Sequence, residues 1–272
     1  MDAAHYFAYH GTMIGFLVRK TFYDLWDNML RIVFLNLGFI ASLAIPVFLP
    51  ALIPIPALSA AVTAAGLAWC SIYLSAAALS VRRLSDYGIF DFADFRSNIQ
   101  TGWPAGIAAG FVGFCIFLLI RLVIPFYLGM KSVLGLALAL LVLWTLVLAV
   151  VSLQFFFAIR ARLDTKIIKI MKKCFIIFFD NPGFAIFTLL YTLASVVLSV
   201  FLVMLLPGPA GILLFLDEAL RLRLLKYDWQ EANPPADPSA RRRKIPWDAI
   251  LIDDREKTGT RSLKNFIFPW KD

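Results

Sequence analysis

The chain has 272 residues, of which 61% are hydrophobic and 16% charged, with a mean hydropathy of +0.79. A soluble domain carries about 25% charged residues, and helices that are apolar all round need lipid or a very large protein around them, so a small water-soluble fold is excluded. The net charge of +8 comes without an aromatic–basic binding module, which argues against nucleic-acid binding.

The apolar residues are gathered into runs separated by short charged or Pro/Gly-rich breaks. A run of about 18 or more with almost no charge predicts a membrane-spanning helix. In lipid such a segment must satisfy its own backbone groups, which demands helix. Residues 1–31 read as a cytoplasmic, amphipathic N-terminal segment. Asp2, Asp24 and Asp27 and the late start of the first apolar run do not fit a cleavable signal peptide. Spans are predicted at 32–49, 57–81, 104–128, 132–159, 184–206 and 209–225, and the last is the shortest. Residues 32–226 form the transmembrane domain and 227–272 a cytoplasmic tail. The expected fold is all-α and polytopic, with about six transmembrane helices arranged as three hairpins.

Orientation follows from Lys and Arg. All but two of the 26 basic residues fall on one side of this arrangement. The two exceptions are Lys131, in an outer turn, and Arg121, inside the third span. Basic short loops stay in the cytoplasm, which places both chain ends there. The expected environment is a bilayer with an anionic inner leaflet.

Each pair of spans closes on a basic exit: Val81-Arg82-Arg83-Leu84, Arg160-Ala161-Arg162-Leu163 and Arg221-Leu222-Arg223-Leu224. Each odd span opens on an aromatic-plus-Asn element: Trp26-Asp27-Asn28, Phe95-Arg96-Ser97-Asn98 and Phe179-Asp180-Asn181. Hairpin repeats of this kind occur in transport proteins, and positive-inside bias alone also produces basic exits. The lead-ins predict amphipathic helices on the inner face. Residues 167–179 interleave Lys169, Lys172 and Lys173 with Ile168, Met171, Phe175 and Ile176, the pattern of a helix lying in the headgroup plane. Asp180-Asn181-Pro182-Gly183 then breaks it, since the residue before Pro disfavours helix.

Charges inside a membrane are costly and usually paired. The candidate cluster is Arg121, Asp217, Glu218 and Arg221. Counting from the outer turns, Arg121 and Asp217 fall at similar depth, so Arg121 is expected to pair with Asp217 or Glu218, forming a polar site between the third and sixth helices. The local alternative pairs Asp217 or Glu218 with Arg221 at helical spacing. Asn36, Ser71, Ser75, Ser152 and Gln154 are expected to bond between helices. Cys70, Cys115 and Cys174 lack the spacing of a disulfide framework or zinc site, and His5 and His10 lack further ligands. No catalytic, cofactor or metal site is expected. An inner-face partner surface is expected at Phe95, Asn98, Lys172, Lys173, Asn181, Trp247 and Trp270, the last two in the tail.

Phe22-Tyr23-Asp24-Leu25-Trp26, Asn36-Leu37, Pro46, Pro50, the loop Phe90-Asp91-Phe92-Ala93-Asp94-Phe95-Arg96-Ser97-Asn98 and Asn181-Pro182 together resemble the YesL-like family of bacterial integral membrane proteins. The likeness covers most of residues 20–225. The long Pro-Trp tail and the aromatic N-terminal extension are additions. The resemblance implies a compact helical protein of the bacterial cytoplasmic membrane, often encoded near sugar ABC transporters, and carries over no catalytic residue. The functional expectation is a non-enzymatic accessory or scaffold of a carbohydrate uptake system, with transporter subunits as partners. A small-solute transporter or channel is the alternative.

Overall fold

The computed structural model describes residues 3–89, 91–234 and 245–258. Among them every regular element is helical. Five segments are long and apolar enough to cross a membrane: Met29–Leu52, Pro56–Ser85, Ala93–Gly129, Val133–Arg162 and Pro182–Phe201. They overlap the first five spans read from the sequence, the third beginning at Ala93 and not at 104 because its lead-in and span form one helix running through Pro104, and the chain is an all-α, multi-pass membrane protein. It divides into two compact units, Asn28–Asp217 and Met1–Asp27 with Glu218–Asp272.

α1 (Ala3–Asp27) is followed by α2 (Met29–Phe48), which closes in a 3-10 turn at Leu49–Leu52. In the larger unit, α3 (Pro56–Ser85) packs against α2 and against α4 (Phe92–Leu118). Glycine lets α3 and α4 approach: a Cβ on Gly106 would lie 2.5 Å from the Ile72 Cα. Polar side chains tie these helices where lipid offers no partner. The Tyr73 hydroxyl donates to the Leu35 carbonyl at 2.8 Å, and Ser75 to the Gly102 carbonyl at 2.9 Å.

α4 runs into a π-turn at Leu119–Val123 and then α5 (Ile124–Gly129). Pro125 accounts for the wide turn. It has no N–H to donate, and its ring pushes away the carbonyl four residues earlier, that of Arg121. α6 (Val133–Leu153) and α7 (Phe156–Arg162) are one span broken at Gln154. The Gln154 amide donates to the Val151 and Ala185 carbonyls. Of the polar residues expected to bond between helices, Asn36, Ser75 and Gln154 do so. Ser71 and Ser152 instead donate to carbonyls of their own helix.

α8 (Ile167–Asp180) lies between the fourth and fifth spans. The Asp164 carboxylate accepts from the backbone N–H of Thr165 and Lys166 and pairs with Lys173 at 3.4 Å. The Lys166 N–H and these other partners hold its pKa below the usual carboxylate range.

α9 (Pro182–Phe201) and α10 (Gly208–Ala232) correct the sequence reading. The fifth span was expected to reach residue 206 and a sixth to cross at 209–225. Helix instead stops at Phe201, and α10 is not among the segments apolar enough to span, because Asp217, Glu218, Arg221 and Arg223 fall within two turns. Its N-terminus is nonetheless set against the first span. The first N–H groups of a helix have no partner within it. Here Gly208 N–H donates to Ser199 Oγ at 3.0 Å, Pro209 has none to satisfy, Ala210 N–H donates to Asn36 Oδ1 at 2.8 Å, and Gly211 N–H donates to the Pro207 carbonyl. The Asn36 amide returns two bonds, to the Leu205 and Pro207 carbonyls, both at 2.9 Å. Asn36 is fully buried. It lies seven residues past Met29, roughly 10 Å into the first span at 1.5 Å per residue. Seven residues after Ala210, Asp217 meets Arg162, the last residue of the fourth span. This part of α10 therefore begins at the depth of Asn36 and reaches the level at which the fourth span ends.

The second unit joins what the sequence suggested were separate flanks, 1–31 and 227–272. Its described core includes Met13, Leu17 and Tyr23 of α1, Leu220 and Leu222 of α10, Trp247 of α11 (Trp247–Ile250) and Leu251. α12 (Ile252–Thr258) follows. The tail's basic run Arg241-Arg242-Arg243-Lys244 lies outside the described residues.

Gly208 has φ +59°, and a Cβ there would collide with the Asn36 amide. Gly208→Ala and Asn36→Leu are each expected to cost about 2 kcal/mol or more, since buried groups are left unpaired or displaced. Thermal melting in detergent checks this, with Gly113→Ala as the neutral control because a Cβ there meets nothing within 4 Å. Asp164 gives a pH test. A lowered folded pKa stabilises above the unfolded value of about 3.9 and the gain is lost as pH falls through the folded value. Asp164→Asn should therefore lower the melting temperature at neutral pH and flatten its acid-side fall.

Candidate functional site

The charged residues of α10 organise the polar interior, though not with the partners read from the sequence. Asp217 is held by Arg162. The guanidinium makes a two-pronged contact with the carboxylate, Nε to Oδ1 at 2.9 Å and Nη2 to Oδ2 at 2.5 Å. A planar fork facing a planar carboxylate is the strongest geometry for such a pair. Arg162 also reaches Asp86 at 3.0 and 3.3 Å and Ser85 Oγ at 2.9 Å. One guanidinium thus ties together the end of the second span, the end of the fourth and the inner part of α10. The Asp217 side chain is 2% exposed and that of Arg162 9%, whereas Asp86 is 40% exposed. The cluster runs from a dry end at Asp217 to a wet end at Asp86.

Arg121 does not join it. The sequence expectation of an Arg121–Asp217 pair is overturned: Arg121 is exposed in the π-turn, and no described ion pair or hydrogen bond involves it. Sequence depth places a residue along the bilayer normal but says nothing of which side of its helix it occupies. A long Arg facing outward carries its charge toward the interface on its apolar stem. The expected polar site between the third and sixth helices is therefore not built around these two residues.

In the other unit, Glu218 is 1% exposed. It accepts from Lys20 Nζ at 3.2 Å and from the Thr21 hydroxyl, and Lys20 also pairs with Asp24. Lys20, Thr21 and Asp24 fall within about one turn of α1, so a single face of that helix meets Glu218. Arg221 forms a two-pronged pair with Asp254 of α12, at 2.9 and 3.0 Å. The local alternative, Arg221 paired with Asp217 or Glu218 on its own helix, is not formed.

Sequence reasoning missed Lys20, Thr21, Asp24, Asp86, Arg162 and Asp254. Lys20 and Arg162 were counted as markers of the cytoplasmic side. A usable signal is present in α1, where Lys20, Thr21 and Asp24 share one face, but nothing in the sequence names Glu218 as what that face meets.

The expected partner surface is largely spent on internal contacts. Phe95 packs against Tyr73 with ring centroids 5.0 Å apart, and Asn98 donates to Ser80 Oγ at 3.0 Å. Lys173 pairs with Asp164, the Asn181 amide donates to Asp180, and Trp247 is 3% exposed. Lys172 stays exposed. Trp270 lies outside the described residues. Cys174 is buried, and burial pushes its thiol up to about 12, so it is a packing group rather than a nucleophile.

Breaking a buried pair leaves an orphan charge worth about 3–5 kcal/mol. Arg162→Leu and Asp217→Leu should each lower stability in detergent far more than Arg121→Leu, and Arg162→Leu/Asp217→Leu together should recover much of the loss. Equal melting temperatures for the single variants and Arg121→Leu would contradict the assignment.

Set against known proteins, the chain matches no family model, no curated protein and no solved structure.

Proposed function

We propose that the chain is a non-enzymatic component of a bacterial cytoplasmic-membrane assembly, an accessory or scaffold linked to an ABC-type carbohydrate uptake system. The observation that carries this reading is the use made of its charges. Asp217, Glu218 and Arg221, the ionisable groups that would serve transport or catalysis, are each engaged by a partner within the chain, Arg162, Lys20 and Asp254. Groups held in this way fix structure; a group that handles a proton or solute must be able to exchange partners.

The resemblance to the YesL-like family supports the link to sugar uptake. The concentration of Lys and Arg on one side supports cytoplasmic chain ends. The Lys20–Glu218 pair supports a common side for the two flanks, with the segment after the fifth span and the start of α10 leading back to it. The proposed partners are transporter subunits.

Purification of the tagged full-length chain from native membranes in a mild detergent tests the proposal. ABC transporter subunits are expected to co-purify. A chain that leaves the membrane alone, and that by itself carries labelled sugar into proteoliposomes, would replace the accessory reading with a transport one.

A further inference from the structure

α8 is joined to the membrane at both ends. Four residues separate Arg162, the end of the fourth span, from Ile167, and Asn181 alone separates Asp180 from the fifth. One side of the helix is spent on packing: Ile170 and Cys174 are fully buried and Ile177 nearly so, against α6, α7 and α9. At 100° per residue these three fall within one narrow sector.

The opposite sector is not the polar face that a water-exposed helix would show. Ile168 is 83% exposed, Phe179 65% and Ile176 54%, and the exposed Lys169 and Lys172 stand among them. Lys166, just before the helix, is exposed as well. The acidic groups lie to the sides: Asp164 is paired with Lys173, and Asp180 closes the helix beside Asn181. Apolar side chains interleaved with lysines on one face match the boundary between acyl chains and headgroups. The apolar groups enter the chains there, and each lysine stem lies along them with its ammonium at the phosphates.

We infer that α8 is a lipid-binding helix, with Lys169 and Lys172 holding the headgroups of anionic phospholipids and Ile168, Ile176 and Phe179 seated in the acyl boundary beneath. Charge complementarity selects anionic over zwitterionic lipid. The tether to two span ends keeps the helix at the membrane edge, so binding needs no separate recruitment step. The inference concerns lipid and stands apart from the transporter-accessory reading.

The test uses the full chain reconstituted in phosphatidylcholine alone or mixed with phosphatidylglycerol. Native mass spectrometry reads the lipid retained, and an Ile168→Cys variant reports access of a membrane-impermeant maleimide. Phosphatidylglycerol is expected to be retained preferentially and to shield position 168, with shielding reduced by salt. Lys169→Gln/Lys172→Gln should weaken retention about 25-fold, on the scale of two surface lysines, and Lys169→Arg/Lys172→Arg should restore it. Both substitutions fall on exposed positions, and an unchanged melting temperature shows that the fold is intact. Equal retention of the two lipids, or labelling at 168 that ignores lipid charge, would overturn the inference. So would shielding that appears only when a soluble membrane-extract protein is added.

Discussion

A helix that begins inside an apolar layer brings with it backbone N–H groups that neither its own turn nor the lipid can satisfy. The larger unit depends on how α10 meets this constraint. Asn36 supplies the answer from another helix, accepting from Ala210 and donating to the carbonyls of Leu205 and Pro207. Ser199, the missing N–H of Pro209 and the Pro207 carbonyl, which accepts from Gly211, account for the rest of the first turn. The N-terminus of α10 is therefore closed, and its amides are not available to an anion. Once the start is fixed, seven residues of helix bring Asp217 to Arg162, and that pair gathers the ends of two spans.

The two buried clusters have different characters. Around Arg162 the pairing is graded, from the dry Asp217 to the half-exposed Asp86, so part of the network is screened by water and contributes little. Around Lys20 every participant is buried. Ion pairs of the second kind are poor sources of net stability, since desolvation offsets much of the attraction. Their effect is to make alternatives expensive: a shifted α1 would strand Glu218 without a donor. Both clusters fix which parts of the chain meet more than how tightly they hold.

Much of the fold was legible in the sequence because hydropathy sums over a window, and the first five apolar runs are long and nearly uncharged. Hydropathy says nothing about rotation around a helix axis. That is why Arg121 was given to Asp217, when Arg162, counted only as a marker of the cytoplasmic side, is the partner. Asn36 was recognised as an inter-helix residue, but its target is a backbone that had been read as a sixth span. The four charges within two turns of α10 were visible, and they are what sets this helix apart from the five apolar enough to span. The tail could not be placed, since a segment of this kind has no periodicity strong enough to show that Asp254 belongs with Arg221.

Asn36 and Ala210 stand 174 positions apart, and that separation sets an order of assembly. The first span can enter the membrane complete, because its backbone is satisfied along its own length. The start of α10 cannot, because its amide bonds exist only once Asn36 is already in position. The earliest part of the membrane domain to be synthesised is thus a template for the last, and the bundle closes when α10 is drawn against a surface laid down at the beginning.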